Sequence, residues 1–162
     1  MKTETAIFAA GCFWGVEELI RKIDGVSQTQ VGYCGGDAQS ALYEKVKTGK
    51  TNHAEAVKVI FDAEKISYES IIELFFQLHD PTTLNQQGND KGTQYRSVIF
   101  YLNEQQKSVA EKVKSKVDNS KKWANSVVTQ IVPATEFFNA EDYHQDYLQK
   151  NPGGYTCHYW RK

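Results

Sequence analysis

The chain has 162 residues, of which 40% are hydrophobic and 24% charged, values typical of one globular domain that buries its own core. Its 19 basic and 20 acidic side chains give a net charge of -1, so neither nucleic acid nor an anionic membrane surface is an expected partner. No apolar run approaches the ~20 residues that would span a bilayer, and the segment 1–10 is too short for a cleavable secretory signal.

Hydrophobic periodicity predicts strands and helices that are interleaved along the chain. In chain order these are a strand at 5–10, a helix at 13–23, strands at 26–33 and 55–61, a helix at 66–78, a strand at 96–102, a helix at 104–117, a strand at 127–132 and a helix at 140–149. Asn103 and Gln106 form a capping-box pattern at the start of the helix at 104–117, and Asn139 is a candidate cap for the last helix. This order favours helices packed on a sheet, but does not determine the strand order. The polar, glycine-containing segments 34–54 and 80–95 are predicted loops of the kind that carry functional sites.

The three cysteines are Cys12, Cys34 and Cys157. An odd number does not indicate a disulfide framework, and cysteines in a reducing compartment are more often buried, metal-bound or catalytic. We therefore expect a cytoplasmic protein.

Cys12 lies in the most unusual segment, residues 11–15 (GCFWG), between a predicted strand and a predicted helix. Backbone N–H groups and the helix dipole favour negative charge there, so we predict a thiol pKa below about 8.5 and a nucleophilic thiolate. Gly11 and Gly15 allow a ligand to approach the backbone, while Phe13 and Trp14 provide apolar faces suited to a methyl or thioether group. The alternative is a buried structural cysteine packed against core aromatic residues.

Residues 11–15 resemble the signature of the peptide methionine sulfoxide reductase A family. Further motifs similar to that family follow in order, so that the resemblance runs from about residue 6 to residue 155. These motifs are residues 32–36 (GYCGG), 43–46 (YEKV), 49–51 (GKT), 53–55 (HAE), 79–82 (HDPT), 87–90 (QGND), 92–97 (GTQYRS), 140–145 (AEDYHQ), 147–148 (YL) and 151–152 (NP).

The resemblance implies a reaction that removes one oxygen atom from a sulfoxide. Cys12 would attack the sulfoxide sulfur, and Glu55 would protonate its oxygen, which requires a desolvated carboxyl with a pKa raised from about 4.3. Tyr43 and Tyr95 would donate hydrogen bonds to that oxygen. Asp90 would shape the site and orient its partners, although a loop-capping role is the common use of such an aspartate.

The second half of the implied reaction uses another thiol. Phe13 and Trp14 would bind the substrate, and the sulfenic acid left on Cys12 would condense with Cys157, the resolving cysteine, to form a disulfide. Thioredoxin or another dithiol would reduce this disulfide, so no cofactor and no metal are expected. Cys157 would be carried by a mobile tail that begins at about residue 150 of a single catalytic domain, 1–162.

The resemblance also supplies the fold and the substrate. It implies an α/β (α+β) two-layer sandwich, with a ferredoxin-like mixed sheet, packed helices and long loops. The expected substrates are oxidised proteins, peptides and free methionine carrying the S epimer of the sulfoxide, with protein repair under oxidative stress as the purpose. Neither nucleic acid nor membrane is an expected partner.

The sequence departs from the family at three points. Cys34 stands where a small residue without a thiol is more common, and it is either a passive small hydrophobe or an alternative resolving or regulatory thiol. Residues 39–42 (QSAL) replace a turn that usually contains proline, which bears on the placement of Tyr43. Thr156 separates Cys157 from the tyrosine that it directly follows in many members.

Three other classes of function remain open from the residues alone. The cysteines and histidines could bind zinc, although none shows a zinc-ligand spacing. Cys12 could serve a cysteine hydrolase with His53 or His144 as its base. A non-enzymatic interaction domain would tolerate Cys12→Ser. This alternative does not explain why a cysteine and two aromatic residues are clustered at 12–14.

Overall fold

A six-stranded mixed sheet lies at the centre of the computed structural model, which describes residues 2–161. The strands in chain order are β1 (Thr3–Ala10), β2 (Val26–Cys34), β3 (Ala54–Asp62), β4 (Gln86–Gln87), β5 (Asp90–Lys91), β6 (Ser97–Tyr101), β7 (Gln130–Pro133) and β8 (Phe138–Asn139). The sheet order is β7-β6-β1-β3-β2-β8, and β4 and β5 form a separate short hairpin.

Five α-helices accompany the strands within the described residues. They are α1 (Phe13–Ile20), α2 (Tyr43–Val46), α3 (Tyr68–Phe75), α4 (Glu104–Asn119) and α5 (Tyr147–Lys150), and 3-10 turns occupy Thr93–Tyr95 and Asp142–His144. Between residues 2 and 161, no helix combines the length and the apolar character that crossing a membrane requires.

The four central strands have the ferredoxin-like order. β1 pairs antiparallel with β6 on one side and with β3 on the other, and β3 pairs antiparallel with β2. Because α1 connects β1 to β2 and α3 connects β3 to β6, these elements form the split βαβ arrangement. β7 adds a parallel strand beside β6 and β8 an antiparallel strand beside β2, so the sheet is mixed. The predicted fold class is confirmed.

Side chains alternate between the two faces of the sheet, as β3 illustrates. Glu55 and Val57 point to the face that carries the main core with α1, α3 and α4, whereas Ala54 and Ala56 point to the opposite face. The opposite face is covered by the segment that contains Val132, Ala134 and Phe137. The helices therefore form one layer, and the carboxyl group of Glu55 faces that layer.

All the predicted strands and helices except the last helix hold in order, with shifted ends. The long helix begins after Asn103, whose side chain accepts a hydrogen bond from the Gln106 N–H at 2.8 Å, as the capping pattern predicts. The predicted helix 66–78 is shorter because Ser67 caps it and accepts from the Ser70 N–H at 3.0 Å.

The predicted helix over 140–149 is wrong except at its end, because only Tyr147–Lys150 is α-helical. Asn139 ends β8 rather than capping a helix, and Asp146 has a left-handed backbone with φ of 54°, which interrupts any helix. Gln145 uses its side-chain amide to bond both the N–H and the C=O of Val31. The segment thus satisfies a distant strand instead of its own backbone, which periodicity cannot reveal.

Candidate active site

Cys12 lies at the junction between the end of β1 and the start of α1. Gly11 turns the chain with φ of 98°, a conformation that favours glycine, and Cys12 then occupies the N-cap position of the helix. The Cys12 side chain is buried, with 7% of its surface exposed. The next N–H of the helix, that of Phe13, donates to Oε1 of Glu55 at 3.3 Å. A thiol and a carboxyl group therefore share one helix N-terminus.

The predicted lowering of the Cys12 pKa is wrong. Burial is the largest influence and raises the pKa of the thiol, and the Glu55 carboxylate raises it further. A hydrogen bond from the Trp14 backbone N–H acts in the expected direction and lowers it, but the loss of water outweighs this contribution. Cys12 is therefore a neutral thiol in the resting protein, and its proton must leave during the reaction.

The predicted raising of the Glu55 pKa is confirmed. Burial raises it to about 8, the Phe13 N–H lowers it, and the Asp90 carboxylate raises it. With 2% of its surface exposed, Glu55 has little water to stabilise its charge. Its carboxyl group is consequently protonated near neutral pH and can donate a proton.

Tyr43 and Tyr95 face the same charged groups. Burial raises the pKa of both hydroxyls, and the Glu55 carboxylate is the next contribution in each case. Cys12 also raises the pKa of both, and Asp90 raises that of Tyr95. The fold thus brings five residues from four separate segments into one electrostatic environment.

A carboxylate from the end of the chain positions Tyr43. Glu141 accepts from the Tyr43 backbone N–H at 3.0 Å and from the Tyr33 hydroxyl at 2.8 Å. His53 holds the preceding turn, because its Nδ1 accepts from the Gly36 N–H at 3.1 Å. Contacts from distant residues therefore hold Tyr43 and the turn at Gly36, although residues 39–42 lack proline.

The two aromatic residues after Cys12 have different environments. Phe13 is 1% exposed and packs against Tyr33 and His144, with ring centroids 5.8 Å and 5.2 Å away. Trp14 is only partly buried, stacks on Tyr147 at 3.8 Å, and donates its Nε1–H to Nδ1 of His144 at 3.0 Å. Phe13 thus belongs to the core, while Trp14 is a held but accessible apolar face.

Cys157 reaches the same site from the C-terminal segment. The Tyr155 hydroxyl donates to Oδ2 of Asp90 at 3.0 Å, and the half-buried Cys157 lies with its Sγ 4.0 Å from the carbonyl oxygen of Gln87. The pKa of the Cys12 thiol is raised slightly by Cys157, the last of the five influences on it.

The end of the chain is attached beyond Cys157 as well. The Arg161 N–H donates to the Gln77 carbonyl at 2.7 Å, and the Arg161 carbonyl accepts from Nζ of Lys122 at 2.8 Å. Trp160 packs against the main core. The structure therefore describes the segment in a docked position over the site.

Cys34 lies on the other face of the sheet. It follows Tyr33 on β2 and belongs to the opposite core cluster with its strand partner Ala54. Its Sγ contacts the carbonyl and the hydroxyl oxygen of Thr135, each at 3.7 Å. The sheet separates this thiol from the face on which Glu55 lies.

The rival chemistries find little support in this geometry. No group of three or more His, Cys, Asp and Glu side chains within residues 2–161 is arranged to hold a metal ion. Both ring nitrogens of His53 bond to backbone groups, the Gly36 N–H and the Asp37 carbonyl, and Nδ1 of His144 bonds to Trp14. Neither histidine is therefore arranged as a base for Cys12.

Several residues that shape the site have no role in the reaction that the resemblance implies, and His144 is named only as a base for the rival hydrolase. They all lie between residues 140 and 158, and they are Glu141, His144, Tyr147, Tyr155 and His158. The density of aromatic and polar side chains in that segment is the signal that could have found them. The predicted helix over 140–149 concealed this signal in the first part of the segment.

Comparison with known proteins finds relatives that match almost the whole chain. The model of the family described as peptide methionine sulfoxide reductase matches residues 4–162. The peptide methionine sulfoxide reductase MsrA of Pseudomonas fluorescens is 54% identical over 160 residues, covering 99% of this chain and 75% of the relative.

Solved structures of Mxr1 from Saccharomyces cerevisiae share the fold. The reduced form is 39% identical with a TM-score of 0.94, covering 99% of this chain and 93% of that chain. Mxr1 in complex with Trx2 aligns at 26% identity with a TM-score of 0.68, covering 99% and 91%. Because the family model and a relative of this identity both extend over almost all residues, the chain belongs to the peptide methionine sulfoxide reductase family.

Proposed function

We propose that the protein reduces the S epimer of methionine sulfoxide, free or in peptides and proteins, to methionine, and so repairs oxidised proteins. Family membership supports the reaction. The observation that carries the proposal is the Glu55 carboxyl, whose raised pKa of about 8 keeps it protonated beside the Cys12 thiol. A sulfoxide oxygen needs a proton as its bond to sulfur breaks, and this site holds one next to the nucleophile.

In the first half of the reaction, the sulfur of Cys12 attacks the sulfoxide sulfur. Glu55 gives its proton to the sulfoxide oxygen and receives the thiol proton of Cys12. The oxygen moves to Cys12, which becomes a sulfenic acid, and the substrate leaves as a thioether. Cys12 is oxidised and the substrate sulfur is reduced by the same two electrons. Tyr43 and Tyr95 donate hydrogen bonds to the oxygen while it carries negative charge.

Trp14, Phe13 and Asp90 form the binding site for the substrate in this proposal. The accessible face of Trp14, held by stacking and by a hydrogen bond, suits the methyl group on the sulfoxide sulfur. Phe13 supports it from the core, and Asp90 orients polar groups at the opposite rim. A rigid aromatic face costs little entropy when it binds a small apolar group.

In the second half, Cys157 attacks the sulfenic acid to form a disulfide, and thioredoxin reduces it. The position of Cys157 beside the site supports its role, and the complex of Mxr1 with Trx2 supports the reductant. Residues 1–162 act as one catalytic domain, and the segment from about residue 150 moves so that thioredoxin reaches the disulfide.

The proposed compartment is the cytoplasm. All three cysteines are free thiols, and thiol chemistry of this kind depends on a reducing environment with a dithiol reductant. Fractionation of the native cells, with the protein detected by antibody, tests the compartment.

The experiment for the function is a single turnover without reductant. The wild type is incubated with a racemic methionine sulfoxide peptide, and peptide mass, epimer composition and free thiols are measured. We expect one equivalent of the S epimer to be reduced and two thiols to disappear.

Two matched cysteine variants assign the thiols. Cys157→Ser should reduce the peptide but lose one thiol, and Cys34→Ala should lose two thiols as the wild type does, because Cys34 faces the other side of the sheet. Loss of two thiols in Cys157→Ser would transfer the resolving role to Cys34. An unreduced peptide with the wild type would overturn the proposed function.

A further inference from the structure

The imidazole of His158 has a defined tautomer. Its Nε2 lies 2.6 Å from the carbonyl oxygen of Ala10, two residues before Cys12 in the chain. A carbonyl oxygen only accepts, so Nε2 must carry the proton and Nδ1 must hold a free lone pair. The ring is 7% exposed, and burial lowers its pKa to about 4, so it is neutral near pH 7.

The free lone pair of His158 faces the resolving thiol. Nδ1 lies 3.9 Å from Sγ of Cys157. The same Sγ also lies 4.0 Å from the backbone carbonyl oxygen of Gln87. Burial raises the pKa of the Cys157 thiol, and the Asp90 carboxylate raises it further. The thiol is therefore protonated at rest, and only its thiolate attacks a sulfenic acid efficiently.

Two glycines make room for this imidazole. A Cβ at Gly11 would lie 3.3 Å from Nε2 of His158, and one at Gly15 would collide with the same ring and with Thr156. Oγ1 of Thr156 accepts from the His158 backbone N–H at 3.2 Å. The ring thus lies in a slot lined by Gly11 and Gly15, with Nδ1 3.9 Å from Sγ of Cys157.

We propose that His158 is a catalytic residue of the resolving step, in which it accepts the thiol proton of Cys157 through Nδ1. This inference rests on the proposed function, because it requires a sulfenic acid on Cys12. The Cys157 sulfur forms a bond to the Cys12 sulfur while the sulfur–oxygen bond of the sulfenic acid breaks. The hydroxyl leaves as water with a proton from Glu55, and the protonated His158 returns its proton to the Glu55 carboxylate through solvent.

Electrons and protons balance in this step. Cys157 is oxidised and Cys12 is reduced as the disulfide forms, and one water is released. A charged imidazolium is disfavoured in this buried slot, since burial lowers its pKa. Proton transfer therefore accompanies formation of the sulfur–sulfur bond rather than preceding it.

The test separates the base from the anchor. His158→Gln keeps an N–H donor near the position of Nε2, and so can keep the bond to Ala10, but has no basic nitrogen near Nδ1. In a single turnover, we expect sulfoxide reduction at the wild-type rate and disulfide formation slowed by roughly 100-fold, a typical effect of losing a general base. Tyr159→Phe, at an exposed neighbour, controls for changes in this segment.

A second variant distinguishes a base from a structural residue. His158→Ala leaves an opening in the slot, and added imidazole should restore disulfide formation in proportion to its concentration without changing sulfoxide reduction. Disulfide formation within twofold of the wild type in His158→Gln, or no rescue of His158→Ala by imidazole, would overturn the inference. Because sulfoxide reduction is measured in the same samples, failure of the proposed function would be seen separately as an unreduced peptide.

Discussion

The carboxyl group of Glu55 and the thiol of Cys12 compete for one helix N-terminus in a site from which water is largely excluded. The Phe13 N–H donates to the carboxyl, and the Trp14 N–H lowers the pKa of the thiol. Burial raises the pKa of both groups, and the Glu55 carboxylate raises that of the thiol further, so the resting pair holds two protons near pH 7. A reaction that needs a nucleophile and an acid together is served by this arrangement, because the proton given to the substrate oxygen is replaced by that of the thiol.

The pH dependence of sulfoxide reduction should follow Glu55. Its active form is protonated and its pKa is about 8, so the single-turnover rate should be constant near pH 7 and fall as the pH rises through about 8. Glu55→Gln cannot donate a proton and should be slower by roughly 100-fold, with a flattened profile. Rapid-quench measurement of peptide mass from pH 6 to 9 gives the single-turnover rate and its pH profile for the wild type and for Glu55→Gln. A variant with the rate and profile of the wild type would remove Glu55 from the reaction.

At the scale of elements, helix α1 and the C-terminal segment pack closely because Gly15 has no side chain. Gly15 lies on the helix where Thr156 and His158 pack, so the docked position of Cys157 depends on the absence of a Cβ. The helix would tolerate alanine better than glycine on propensity alone. The constraint therefore comes from the contact between elements.

Gly15→Ala should slow disulfide formation while the peptide is still reduced. The added methyl group would displace the segment at a cost of ~1–3 kcal/mol, the usual range for overpacking, which corresponds to a decrease of roughly 5- to 150-fold. Thiol counting during a single turnover measures this rate. Gly153→Ala is the matched control, because no atom lies within 4 Å of its added Cβ. Equal rates in the two variants would contradict the interpretation.

At the scale of the whole molecule, Glu17 connects three distant parts of the chain. Its carboxylate accepts from the Thr29 hydroxyl on β2 at 2.9 Å and from the Asp146 N–H before α5 at 3.0 Å, and it lies 3.3 Å from Arg21. It is 1% exposed. One buried carboxylate thus holds together helix α1, the sheet and the segment that contains Glu141 and Asp146.

Glu17→Ala should lower the free energy of unfolding by about 3 kcal/mol, because it leaves buried donors and a partly buried guanidinium without their acceptor. Urea unfolding followed by tryptophan fluorescence measures the change. Glu111→Ala, on the exposed face of α4, should alter stability by less than about 0.5 kcal/mol. A similar small change for Glu17→Ala would show that these contacts add nothing to stability.

Local patterns in the sequence were sufficient for most elements. The alternation in β3 and the apolar stripe of α3 depend only on which side chains must leave water, and the Asn103 cap depends on neighbours in the chain. The ferredoxin-like order came from resemblance, since alternation of strands and helices is compatible with several orders. The segment 140–149 failed because its side chains bond to distant strands.

The sequence by itself determined the family, the order of the elements and the candidate groups at Cys12, Glu55 and Cys157, because these are carried by local periodicity and by motifs in a fixed order. Only the tertiary structure decided the direction of the Cys12 pKa, the face on which Cys34 lies and the contact between His158 and Cys157. Desolvation and contacts between distant segments depend on which atoms replace water around a group. That arrangement exists only once the chain is folded.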